Sequence, residues 1–165
     1  MDEILARLRK IESILDIQRL MYTYAECVDL AKFDELGALF AHGTIGAHGF
    51  DSPMHGHAQI RDFYAATNKV HADGTLRTRH LSTNAIIQLD GDGERASARS
   101  YFVVLQATSS VPLQPIVAGR YHDKFHVIGG QWFFDDRLVF VDQIGNMSDH
   151  LTFDLTRDPI PTIGE

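Results

Sequence analysis

The stretch "HLSTNAIIQLDGDGERASARSYFVVLQ", residues 80–106, decides the fold class. Before it, apolar residues recur at helical spacing; within it they alternate with polar ones, which is the signature of half-buried strands. Two such runs flank Asp90-Gly91-Asp92-Gly93, a turn sequence whose glycines can supply the positive φ that a hairpin demands. The pattern recurs in "VAGRYHDKFHVIGGQWFFDDRLVFVDQI", residues 117–144, around Gly129-Gly130. With a two-residue loop there, Tyr121, Phe125, Trp132 and Phe134 share one apolar face, and His122 lies opposite Arg137 on the other. The same register sets Asp123 against Asp136, a like-charge contact that a β-bulge would relieve.

Upstream, Ile4, Leu8, Ile11 and Leu15 form one apolar helical stripe, with Arg7, Lys10 and Glu12 on the solvated side. Asp16 is placed to cap a second stretch, in which Ile17, Leu20, Tyr24 and Val28 make a stripe that continues or restarts the helix. "FDELGALFAH" reads as a further short helix. "HGHAQIRDFYAATNKV" reads as another, with Ile60, Phe63 and Tyr64 on its buried face. Gly43, Gly46 and Gly49 between them suit a strand or an irregular loop. Helices gathered at the front and antiparallel hairpins at the back make an α+β chain whose helices cover one face of a curved sheet.

At 165 residues the chain fits one domain, 1–165, with residues 147–165 an irregular C-terminal arm that either frays or covers something. The lone Cys27 rules out an internal disulfide framework, and the charged, periodic start lacks the apolar core of a signal peptide; a cytoplasmic protein is expected. No apolar run approaches the roughly 20 residues of a membrane span. A net charge of −7 argues against a nucleic-acid footprint. The expected partner is a small molecule. Nine histidines invite a metal reading, but the His55 and His57 pair lacks co-ligands at recognisable spacing, so no metal or cofactor is expected. Nucleotide-binding and serine-hydrolase motifs are likewise lacking.

"YAECVDLAKFDELGALFA", then "RHLSTN", then "AGRYHDKF" with "QWFF", resembles the SnoaL-like branch of the nuclear transport factor 2-like superfamily, which also holds scytalone dehydratase, bile acid dehydratases and ketosteroid isomerase-like proteins. The resemblance covers about residues 5–142. It implies a cone-shaped, curved, mixed but mostly antiparallel sheet whose concave face is closed by the N-terminal helices around an apolar pocket. It further implies catalytic residues at Tyr24, Asp29 and His80, with His122 the nearest candidate for a second histidine. A homodimer or homotrimer through the outer sheet face is implied as well. Because the superfamily hosts dehydratases, isomerases and non-catalytic binders, fold alone leaves function open.

The residues carry their own chemistry. An aspartate at a helix end built from Ala25, Val28, Leu30 and Ala31 is costly to bury without a partner, and His80 is the natural one. A carboxylate bonded to one imidazole nitrogen fixes the tautomer and leaves the other nitrogen as a general base. A tyrosine phenol near neutral pH can donate to a substrate oxygen. Tyr24 and Asp29, however, lie about 140° apart on a regular helix, whereas Tyr22, Ala25 and Asp29 share a stripe. Either the helix ends before Asp29 or Tyr22 is the pocket tyrosine.

Alternation along the first strand puts His80, Ser82, Asn84 and Ile86 on one face, making Asn84 a candidate substrate-binding residue. Phe40, Phe63 and Tyr101 are the aromatic residues expected against substrate, while Arg77 and Arg79 are expected at the rim. Bland roles compete: Asp29 as a solvated helix end, His80 as a strand-end histidine, Tyr24 as core. The expected function is a cofactor-independent dehydratase or isomerase acting on a hydrophobic, cyclic, oxygenated compound. The alternative is a non-catalytic ligand binder or the small subunit of a ring-hydroxylating dioxygenase.

Overall fold

The computed structural model describes residues 1–50, 52–158 and 161. Helix α1 runs unbroken over Asp2–Asp29, followed by α2 (Phe33–Leu39), β1 (Thr44–Ala47), β2 (Met54–His55), α3 (Gly56–Thr67), β3 (Thr78–Leu89), β4 (Arg95–Gln106), β5 (Gln114–Ile128) and β6 (Gln131–Ile144). The six strands form one sheet in the order β2-β1-β6-β5-β4-β3. β1 runs parallel to β6 and every other pairing is antiparallel. The expected α+β architecture, a curved mixed sheet with helices over one face, is the observed one.

Asp16 does not restart the helix. It lies mid-helix and accepts a 3.0 Å hydrogen bond from Arg19, an ordinary pair one turn apart. The two stripes have different fates: Ile17, Met21, Tyr24 and Val28 are buried against the sheet, whereas Ile4, Leu8, Ile11 and Leu15 are exposed. Periodicity identified an apolar helical face there, but its residues stay exposed, so only the second half of α1 belongs to the core.

The hairpin β5–β6 closes on Gly129 and Gly130, with φ of 59° and 84°, joining Ile128 to Gln131 as paired neighbours. Both loop residues take the left-handed conformation of the tight turn that matches strand twist. Between Lys124 and Phe125 the register slips. Asp135 is the extra residue, and the slip sets Asp123 opposite Arg137 and His122 opposite Leu138. The like-charge clash of the regular register is thereby exchanged for an ion pair, and the expected His122–Arg137 pairing does not occur.

Strand β3 also contains a bulge, between Thr83 and Ile86. Asn84 sits in it at φ 53°, a conformation asparagine tolerates better than most side chains. The extra residue reverses the alternation: Ala85, Ile87 and Leu89 pack on the core, while Ile86 is 52% exposed. Ile86 and Asn84 therefore do not continue the face of His80, contrary to a regular strand. The core itself lies between α1, α2 and the sheet, where Phe40 stacks on Phe134 at 4.6 Å and Phe102 on Tyr121 at 4.4 Å. A Cβ at Gly119 would stand 1.9 Å from the Phe140 carbonyl, so only glycine admits the close strand approach there.

Candidate active site

Asp29 is the last residue of α1 and is 7% exposed. Its backbone carbonyl accepts a 3.0 Å hydrogen bond from the Leu76 N–H, which brings the start of β3 under the helix end. Its carboxylate then accepts three more: from Thr78 Oγ1 at 2.6 Å, from the His80 backbone N–H at 2.9 Å and from His80 Nδ1 at 2.6 Å. Burial would raise the pKa of this acid. The hydrogen bonds and charge of His80, with that of Thr78, outweigh burial and hold it below the ordinary carboxylate value. An ionised carboxylate only accepts, so Nδ1 of His80 carries the proton and its second nitrogen is the basic one.

His80 lines an apolar cavity of about 460 Å³ walled by Val28, Ile45, Phe63, Phe102, Val104 and Val139. Tyr24 lines it too, while Tyr22 is 52% exposed. The angular difficulty on α1 is resolved by division of labour. Tyr24 faces the cavity directly, whereas Asp29, on another side of the same helix, bonds the strand and meets the cavity only by way of His80. The helix need not end early, and Tyr22 is not the cavity tyrosine.

The Tyr24 hydroxyl lies 2.7 Å from that of Tyr64 on α3. Burial raises the pKa of Tyr24, with Arg137 acting in the opposite sense. Burial also lifts Tyr64 and Tyr121 well above the ordinary phenol value. All three remain neutral donors. Beneath them Arg137, fully buried, spans the rings of Tyr24 and Tyr121 at 4.1 and 4.2 Å. Its guanidinium donates to both Asp123 oxygens, at 2.8 and 2.7 Å. Burial alone would discharge Arg137; the Asp123 carboxylate outweighs it, and the charge stays.

The remaining expected site residues divide. Phe63 lines the cavity. Phe40 is fully buried behind the wall, edge-on to Tyr24, as core. His122 is exposed on the outer sheet face with its ring 4.6 Å from that of Phe140; on a strand whose Tyr121 and Asp123 point inward it must point outward. Tyr101 and Asn84 are exposed as well, the first on the outer face and the second at its bulge. His57 bonds Asp34 at 2.9 Å, and no cluster of three or more potential metal ligands exists among the described residues.

The cavity also holds residues that sequence reasoning did not place. Tyr121 and Asn68 line it, as do Met147, His150, Leu151, Phe153 and Leu155 from the segment after β6. Only Tyr121 had a legible signal, its position on the apolar face of β5. The segment after β6 has no periodicity. It is held by tertiary bonds, including Thr108 and Ser110 on the Asp149 carboxylate and a bridge between Leu151 and Asn68.

The model of the SnoaL-like domain family matches residues 9–137. The chain is a SnoaL-like domain. No protein of curated function matches it in sequence. Among solved structures it resembles a nuclear transport factor 2-like protein of cystatin-like fold from Novosphingobium aromaticivorans, at 22% identity, with 86% of this chain and 89% of that one covered and a TM-score of 0.71. It also resembles a candidate scytalone dehydratase from the same organism, at 21% identity over 82% of this chain and 87% of that one, TM-score 0.64. A third likeness is to the β subunit of a candidate aromatic-ring-hydroxylating dioxygenase from that organism, at 21% identity over 78% and 88%, TM-score 0.62. At these identities the likeness is one of fold. Among the described residues no helix of this SnoaL-like domain is long and apolar enough to cross a membrane.

Proposed function

We propose that this SnoaL-like domain is a cofactor-independent acid/base enzyme, a dehydratase or isomerase acting on a hydrophobic, cyclic, oxygenated small molecule. One observation carries the reading: the buried Asp29 carboxylate holds His80 by its side chain at 2.6 Å and by its backbone at 2.9 Å, with the imidazole at the wall of an apolar cavity. His80 takes a proton from the carbon next to a substrate carbonyl, and Asp29 stabilises the imidazolium that forms. Tyr24, its hydroxyl paired with that of Tyr64, donates to the carbonyl oxygen as it gains charge. The proton then leaves His80 for a departing hydroxyl in a dehydration, or for another carbon in an isomerisation. Against a panel of hydroxylated ring ketones, His80→Ala abolishes turnover and keeps the fold; undiminished turnover by that variant refutes the reading.

A non-catalytic role as a dioxygenase small subunit is favoured by the fold likeness to such a β subunit. Copurification with a Rieske-type large subunit, and no turnover across the panel, would establish it instead.

We further infer self-association through the first half of α1 in place of the outer sheet face. Ile4, Leu8, Ile11 and Leu15 stand exposed there at the alternating spacing of a helix–helix seam. Arg7 and Glu12 flank that seam five residues apart, the offset at which parallel copies of the helix pair opposite charges. The occupant is a second copy of this chain.

A further inference from the structure

The cavity holds one polar side chain that the proposed chemistry leaves unused. His150 is 5% exposed and lines the cavity, with its ring centroid 6.3 Å from that of His80. Its Nδ1 is sealed from solvent and has no hydrogen-bond partner among the described residues. A buried imidazole without a partner is destabilising, and an apolar side chain of similar size would avoid the penalty.

Its placement is nonetheless built in. The His150 N–H donates to the Met147 carbonyl at 2.9 Å, and its own carbonyl accepts from the Lys69 N–H at 2.8 Å. On one side, Asp149 is held through its carbonyl by Gln106 at 3.0 Å and by His71 at 3.1 Å. On the other, the Thr152 N–H donates to the Thr67 carbonyl at 2.9 Å. The backbone is thus tied to α3 and to the end of β4 on both sides of a residue that itself lacks a side-chain partner.

We propose that His150 is a substrate-contacting residue: Nδ1 is sealed, so the ring meets an oxygen of the bound molecule through Nε2, which makes no hydrogen bond among the described residues. The inference rests on the reading of this cavity as a small-molecule site and sharpens the class of molecule. With one oxygen at the Tyr24 and Tyr64 hydroxyls and another at His150, the substrate is a ring compound bearing at least two oxygen functions. Burial, with the neighbouring His80, holds the pKa of His150 down to about 3. The ring is therefore neutral, able to donate or accept without competing with His80 for the substrate proton.

The test compares naphthalene with 2,7-dihydroxynaphthalene by titration calorimetry. The wild-type protein binds the diol more tightly, and His150→Phe weakens the diol about three- to tenfold while changing naphthalene less than about twofold. Unchanged diol affinity in that variant overturns the proposal, and so does equal weakening of both compounds. Neither result touches the acid/base reading, which stands or falls on His80→Ala. If the wild-type protein binds neither compound, or prefers naphthalene, the proposal fails. Should His150→Phe not fold, ¹⁵N-histidine spectra of the wild type decide: the diol shifts the ring nitrogens of His150, and an unmoved signal at saturation overturns the contact.

Discussion

Asp29 and His80 are joined twice, by Nδ1 of the ring to Oδ1 at 2.6 Å and by the backbone N–H to Oδ2 at 2.9 Å. The second bond fixes the strand that carries the ring, so the helix end sets both the tautomer and the position of the base. Asp29→Asn presents an amide donor where two donors already point. Turnover should fall by about a hundredfold or more, with stability lower by about 1–3 kcal/mol. Initial rates and urea unfolding of the same preparation measure the two effects.

Acid stability should carry the mark of Asp29. Its carboxyl titrates below the ordinary value in the folded chain, so its contribution is present above the unfolded pKa of about 3.9 and is lost as pH falls through the folded value. In Asp29→Asn the unfolding midpoint should vary less with pH below about 4 than in the wild type.

His150 should leave a mark in a different window. Its folded pKa is about 3 against an ordinary 6.5, so between those values the unfolded chain binds a proton that the folded chain refuses. Stability falls as pH drops from 6.5 toward 3. His80, His71 and Asp29 are the titratable groups whose charges act on it, the histidines disfavouring its charge and Asp29 favouring it. His150→Phe should flatten this slope, read as urea midpoints across the interval.

Breaking the buried Arg137–Asp123 pair should be severe. Asp123→Asn or Arg137→Met leaves one buried charge uncompensated, a loss of about 3–5 kcal/mol. Replacing both, as Asp123→Leu with Arg137→Met, should recover most of that loss in thermal unfolding. The cavity tyrosines would then rest on an apolar floor in place of a guanidinium.

The exposed stripe of α1 gives a separate expectation. Leu8→Glu with Ile11→Glu should lower the solution mass to that of one chain, measured by light scattering, while the circular dichroism of the core stays unchanged. A protein that remains associated would send the interface back to the outer sheet face.

Much of this molecule is written in local pattern. The change from helical to alternating periodicity near residue 80, and the Gly129-Gly130 turn, determine α+β with paired hairpins, because backbone geometry responds to neighbours two to four residues away. The placement of Tyr24 and Asp29 on a helix and of His80 on a strand was legible for the same reason; that these three belong together was implied by the family resemblance, and the helical stripe alone pointed to Tyr22. What only the tertiary structure decided is which way the elements face. Two single-residue bulges, at Asn84 and Asp135, reverse the alternation beyond them, putting Ile86 and Asn84 outside and setting Asp123 against Arg137. Inward orientation of Tyr121 and Asp123 sent His122 to the outer face. The exposed first half of α1 and the placement of His150 follow from where distant segments meet: the first depends on which stretch of the helix other segments cover, the second on bonds to the end of α3 and to β4. Neither is encoded in the spacing of nearby residues.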